Sequence, residues 1–119
     1  LRIDGADHTC DFTHIDDTAR GIAAVIDALQ AGERRLPPIH FLTGTPTTLG
    51  ELAAAAVDLA GSASLLVHAP PRSYDVARFY GDPSRARTLL GWQPRVSLRD
   101  GLARFLAALR ATPSPELHP

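Results

Sequence analysis

Hydrophobic positions along this chain fall into short alternating runs and longer helical stripes that interleave. Leu1–Ile3 has the character of a strand end, Gly5-Ala6-Asp7 marks a turn, and His8–His14 alternates again as a strand does. Apolar residues then recur at Ile15, Ala19, Ile22, Ile26 and Leu29, a helical spacing. Asp16 and Asp17 stand where a helix N-terminus favours negative charge. That helix is predicted to stop near Gly32, with Arg34–Pro38 as a linker, because Pro37 and Pro38 cannot continue a helix. Ile39–Leu42 reads as a short strand ending at a Thr43-Gly44 turn. Thr48 and Glu51 have the spacing of a capping box, and Leu49, Leu52, Ala56 and Leu59 form a stripe that Gly61 ends. Ser64–Val67 is a predicted third strand, closed by Pro70-Pro71. Asp82-Pro83 is expected to cap a short helix that Gly91 closes. Ser97 is expected to cap a last helix with Leu98, Leu102, Phe105, Leu106 and Leu109 on one side, and residues 112–119 to form a disordered tail.

Helices and short strands alternate, so the expected fold class is α/β, a small mixed layer structure. With 119 residues the chain is one modest domain, too short for both a full dinucleotide-binding sheet and a substrate lobe. No Gly-x-x-Gly-x-x-Gly or Gly-x-Gly-x-x-Gly opens a helix, so no phosphate-cradling turn is encoded. All 12 basic residues are Arg, which excludes a Tyr-x-x-x-Lys catalytic couple. The nearest lookalike, Tyr74 with Arg78, carries a guanidinium that stays charged and does not replace a lysine. There is no Met, and Leu1 is read as the edge of a piece taken from something longer.

Charge and cysteine narrow the partners. A formal net charge of -1 gives no basic field for nucleic acid or an anionic membrane. Cys10 is the one cysteine, so no internal disulfide forms and a reducing, cytoplasmic setting is expected. No apolar run approaches bilayer-spanning length. His14 and His40 lack partners at zinc spacing, so no metal is assigned.

Three segments carry a resemblance. The first is Cys10-Asp11-Phe12-Thr13-His14-Ile15-Asp16-Asp17, and the second is Phe41-Leu42-Thr43-Gly44 followed by Thr48-Leu49-Gly50-Glu51-Leu52. The third runs from Arg72-Ser73-Tyr74-Asp75-Val76 through Gly81-Asp82-Pro83-Ser84-Arg85-Ala86 to Leu89-Leu90-Gly91-Trp92-Gln93-Pro94. In this order they resemble the carboxy-terminal, substrate-binding portion of the extended short-chain dehydrogenase/reductase family, the NAD-dependent epimerases and dehydratases of nucleotide sugars. The resemblance implies a substrate-binding lobe over residues 1–111 without the amino-terminal Rossmann sheet. It also implies NAD(P) in the parent enzyme with none bound by this chain alone. The family's Ser/Thr, Tyr and Lys catalytic set lies upstream, so no catalytic residue is assigned.

Substrate-binding residues follow from the same resemblance. Arg72 matches an arginine that meets the substrate's diphosphate, where a planar guanidinium bridges two oxygens. Asp75 matches an acidic residue that accepts from ribose hydroxyls. His14 matches a residue that lines the sugar pocket, and Cys10 stands where the family has a second diphosphate arginine. Cys10 and Leu42, which replaces a common Asn, are departures. Tyr74 is another, at a position where a small residue is usual. They keep two further readings open: a stand-alone binding module, and a reductase of the same family acting on a non-nucleotide substrate. Expected partners are a nucleotide sugar and either the missing amino-terminal Rossmann domain or a self-associating copy. Trp92 reads as a corner-packing aromatic, and Asp11, Asp16 and Asp17 as strand-end and helix-capping carboxylates.

Overall fold

The computed structural model describes residues 1–111; the expected tail at 112–119 lies outside them. The elements in chain order are β1 (Arg2–Asp4), β2 (Thr9–Cys10), α1 (Ile15–Gln30), β3 (Thr47–Thr48), α2 (Leu49–Ala60), β4 (Val67–Ala69), β5 (Arg78–Phe79), α3 (Ser84–Leu90) and α4 (Leu98–Ala111). β1 and β4 pair in parallel with Ile3 opposite His68. In the second sheet β2 is central, antiparallel to β3 and parallel to β5, with Cys10 between Thr47 and Phe79. Helix α2 packs against α4, and α1 against α3. This is the small mixed α/β lobe expected from the chain's pattern.

Capping chemistry explains the helix ends. Thr48 Oγ1 accepts from the Glu51 amide at 3.0 Å while the Glu51 carboxylate accepts from the Thr48 amide at 2.8 Å, completing the anticipated capping box. Gly61 ends α2 at φ 61°, and Gly91 ends α3 at φ 62°, where a side chain would be strained. Ser97 accepts from the Asp100 amide at the start of α4. At α3 the boundary differs from expectation. The helix begins at Ser84, so Pro83 is the N-cap and Asp82 precedes it, accepting from both the Ser84 amide and hydroxyl at 2.8 Å.

Two expected strands are displaced. Ile39–Leu42 joins no sheet; on either side of it, Arg85 donates to the Pro38 carbonyl, and the Thr43 and Gly44 amides donate to Asp11. The third strand lies at Val67–Ala69 rather than Ser64–Val67, and only Thr9–Cys10 of the His8–His14 stretch enters a ladder. Helix α1 has two unlike faces. Its regular apolar row points outward, with Ile15 72%, Ile22 54%, Ile26 49% and Leu29 50% exposed. The inward face is instead Asp17, Gly21, Ala24, Val25 and Ala28.

Gly21 is required there. A Cβ at this position would lie 2.5 Å from Cδ1 of Phe41. Phe41 in turn meets Trp92 edge to face at 5.0 Å, the geometry favoured by aromatic quadrupoles. Trp92 is 3% exposed and donates its indole N–H to the Asp17 carbonyl at 2.9 Å. Among the described residues, Ile3, Ala86 and Trp92 are the fully buried apolar side chains, a thin core for four helices.

Candidate functional site

Pro70-Pro71 deliver the chain from β4 into an exposed turn at Arg72–Asp75. The Asp75 amide donates to the Arg72 carbonyl at 3.1 Å, closing the turn, and the Arg72 amide donates to Asp75 Oδ2 at 3.0 Å. Arg72 Nε lies 3.1 and 3.2 Å from the two Asp75 oxygens, and its Nη2 lies 3.1 Å from Oδ1. Hydrogen bonding from Arg72, through side chain and backbone, holds the Asp75 carboxyl below its ordinary pKa. Asp75 likewise pushes the guanidinium further up. The Arg72 guanidinium sits 5.1 Å from the Tyr74 ring centroid. Among the described residues no non-glycine residue has positive φ, so the turn accommodates Tyr74 where a small residue was anticipated.

The fold brings Arg72 and Asp75 together and sets the other two candidates apart. Arg72 lies at the rim of an open groove of about 450 Å³, between β1 and α2, walled by Leu1, Ile3, Leu49, Leu52 and Ala56. His14 is the N-cap of α1: its Nδ1 accepts from the Asp16 amide at 3.2 Å. Its ring borders Gly101 of α4, where a Cβ would come within 2.8 Å of Cδ2, and it lines a separate groove of about 270 Å³. Cys10 is half-buried and free in the middle strand β2.

Two aspartates read from sequence as a strand-end and a helix-capping carboxylate do more. Asp11 accepts from the Thr43 amide at 2.9 Å, the Thr43 hydroxyl at 2.8 Å and the Gly44 amide at 2.7 Å, pinning that turn to the end of β2. Asp17 is 1% exposed and accepts from the Arg95 and Val96 amides, each at 2.9 Å, and from Arg20. Burial pushes its carboxyl up, but the bonds from Val96, Arg20 and Arg95 prevail and leave it below its ordinary pKa. Spacing to residues so distant carries no sequence signal; the acid before a helix is all that is legible.

No glycine-rich turn opens a helix among the described residues, so the chain presents no amide cradle for a dinucleotide's phosphates. No group of three or more His, Cys, Asp or Glu is placed to hold a metal among them. No helix among them is long and apolar enough to cross a membrane.

No family model matches the chain. Among curated proteins, UDP-glucose 4-epimerase of Mycolicibacterium smegmatis is 33% identical over 107 residues, covering 90% of this chain and 33% of the relative. A dTDP-glucose 4,6-dehydratase of an Actinoplanes species is 32% identical over 105 residues, covering 87% and 32%. The UDP-glucose 4-epimerase of Bifidobacterium longum, solved with NAD+ and UDP, superposes with a TM-score of 0.80 at 27% identity, covering 93% of this chain and 35% of that one. The chain spans about a third of the length of these proteins. Matching motifs, matching fold and matching sequence all lead to one family: the chain belongs to the NAD-dependent nucleotide-sugar epimerases and dehydratases of the extended short-chain dehydrogenase/reductase type, as a carboxy-terminal portion.

Proposed function

We propose that this chain is the nucleotide-sugar-binding portion of an NAD-dependent epimerase or dehydratase and carries no catalytic residue of its own. The observation that supports it is the Arg72–Asp75 turn, which holds a planar cation at an open groove with a carboxylate paired to it. The guanidinium suits a diphosphate and the carboxylate suits a ribose diol. The pair is half open, with the Arg72 side chain 56% exposed and the Asp75 carboxylate 14%, so a phosphate can reach the guanidinium while Asp75 holds it in place. Remote binding of this kind orients the sugar for chemistry performed elsewhere. His14 is assigned to the sugar pocket and Cys10 to the position of the second diphosphate contact, both in a site that needs the remainder of the enzyme.

The outward row of α1 is assigned to contact with the cofactor-binding portion that the family resemblance implies upstream. NAD is held by that portion, since the residues present here do not fit it. The departures at Cys10 and Leu42 favour a second reading, a reductase of the same family with a non-nucleotide substrate. Titration calorimetry of the 119-residue chain with UDP-, GDP- and dTDP-sugars separates the two. Binding of one nucleotide class, weakened about tenfold or more by Arg72→Ala, is expected from the loss of a charge-assisted contact. Indifference to all three, or measurable epimerase or dehydratase turnover by the pure chain, overturns the first reading.

A further inference from the structure

Tyr74 is the least explained side chain of the candidate loop. Its backbone position in the turn needs no aromatic residue, and no fold contact demands one: the residue is 74% exposed. An exposed aromatic ring carries a cost in apolar hydration that a Ser or Gly would avoid. The ring lies beside the Arg72 guanidinium, which is 5.1 Å from its centroid. Asp75 fixes that guanidinium through Nε and Nη2, so the cation, the carboxylate and the ring form one unit within four consecutive residues.

We propose that Tyr74 is a stacking platform for the base of the bound nucleotide, completing a turn in which Arg72 meets the diphosphate and Asp75 the ribose. This rests on the nucleotide-sugar reading and deepens it. The three groups of a nucleoside diphosphate are an anion, a diol and a flat π-surface, in that order. One turn here offers a guanidinium, a carboxylate and an open aromatic face. Stacking on Tyr tolerates any base, because every base has a π-face, so Tyr74 adds affinity for nucleotides over simple diphosphates without choosing among bases. The neighbouring groove of about 450 Å³ leaves room for the ligand to lie along the turn.

The test is calorimetric titration of the full 119-residue chain with two probes, UDP and inorganic diphosphate. Tyr74→Ala is expected to weaken UDP roughly tenfold while changing diphosphate by less than about twofold, and Tyr74→Phe to keep UDP affinity. Unchanged UDP affinity in Tyr74→Ala overturns the proposal. Equal losses for both probes overturn it as well, since Tyr74 then acts only by positioning Arg72. The parent reading fails separately: wild-type chain that binds neither probe, or binds diphosphate regardless of Arg72→Ala, removes the site itself and the proposal with it.

Discussion

Asp17 lies beneath the Trp92 corner and receives two backbone amides and Arg20 in a space closed to water. Removing its charge while keeping its shape leaves those donors facing an amide that satisfies them poorly. Asp17→Asn is therefore expected to destabilise the chain by about 2–4 kcal/mol, measured by urea denaturation. The pH dependence follows from the direction of the shift. The folded pKa is below the unfolded value of 3.8, so Asp17's contribution is full above the unfolded value and is lost as pH falls through the folded one. Acid titration of the variant should show a shallower loss of stability below about pH 4 than the parent chain does. The site was legible in the sequence to unequal degrees. Arg72 and Asp75 stood out because they are three residues apart inside a recognisable motif, and the structure pairs them. Asp11 was legible only as a strand-end carboxylate and Asp17 only as a helix-start one, because their partners at Thr43, Arg95 and Val96 lie 32 to 79 residues away.

Helices were easier to read than strands for a related reason. Caps are local: Thr48 with Glu51, Ser97 with Asp100, and Gly61 and Gly91 at positive φ all fall within one turn of the helix they bound. Thr48→Ala should cost about 1 kcal/mol in thermal or urea unfolding, the usual value of a lost cap. Strands of two or three residues depend on partners far along the chain, and Ile39–Leu42 finds none in either sheet. Helix α1 shows that periodicity gives the element without saying what covers its apolar face. Its strongest apolar row is the one that faces out, while small residues and one aspartate line the inward side. The two sides should respond oppositely. Gly21→Ala adds helix propensity of about 1 kcal/mol yet drives a methyl into the Phe41 ring, so a net loss of about 1–3 kcal/mol is expected in the same assay. Ile22→Asp and Ile26→Asp, by contrast, should leave stability within about 0.5 kcal/mol.

For the whole molecule, the exposed row on α1 together with Phe105 at 59% and Leu109 at 55% on α4 leaves more apolar surface open than a self-sufficient domain shows. Self-association that grows with concentration in analytical ultracentrifugation is the expected behaviour, and Ile22→Asp with Ile26→Asp should return the chain to a monomer. A chain that stays monomeric at high concentration without those changes argues against the α1 row as a contact surface. The Asp17–Trp92 corner has a consequence for the order in which this polypeptide acquires its shape. The bonds that seat the first helix reach across 75 to 79 residues, so a nascent chain emerging from the ribosome holds α1 unsupported until Trp92, Arg95 and Val96 have been made. Closing so long a loop is slow compared with forming a helix. Truncation before residue 92 should thus leave a helix with two unsatisfied sides, a natural substrate for chaperones rather than a smaller folded unit.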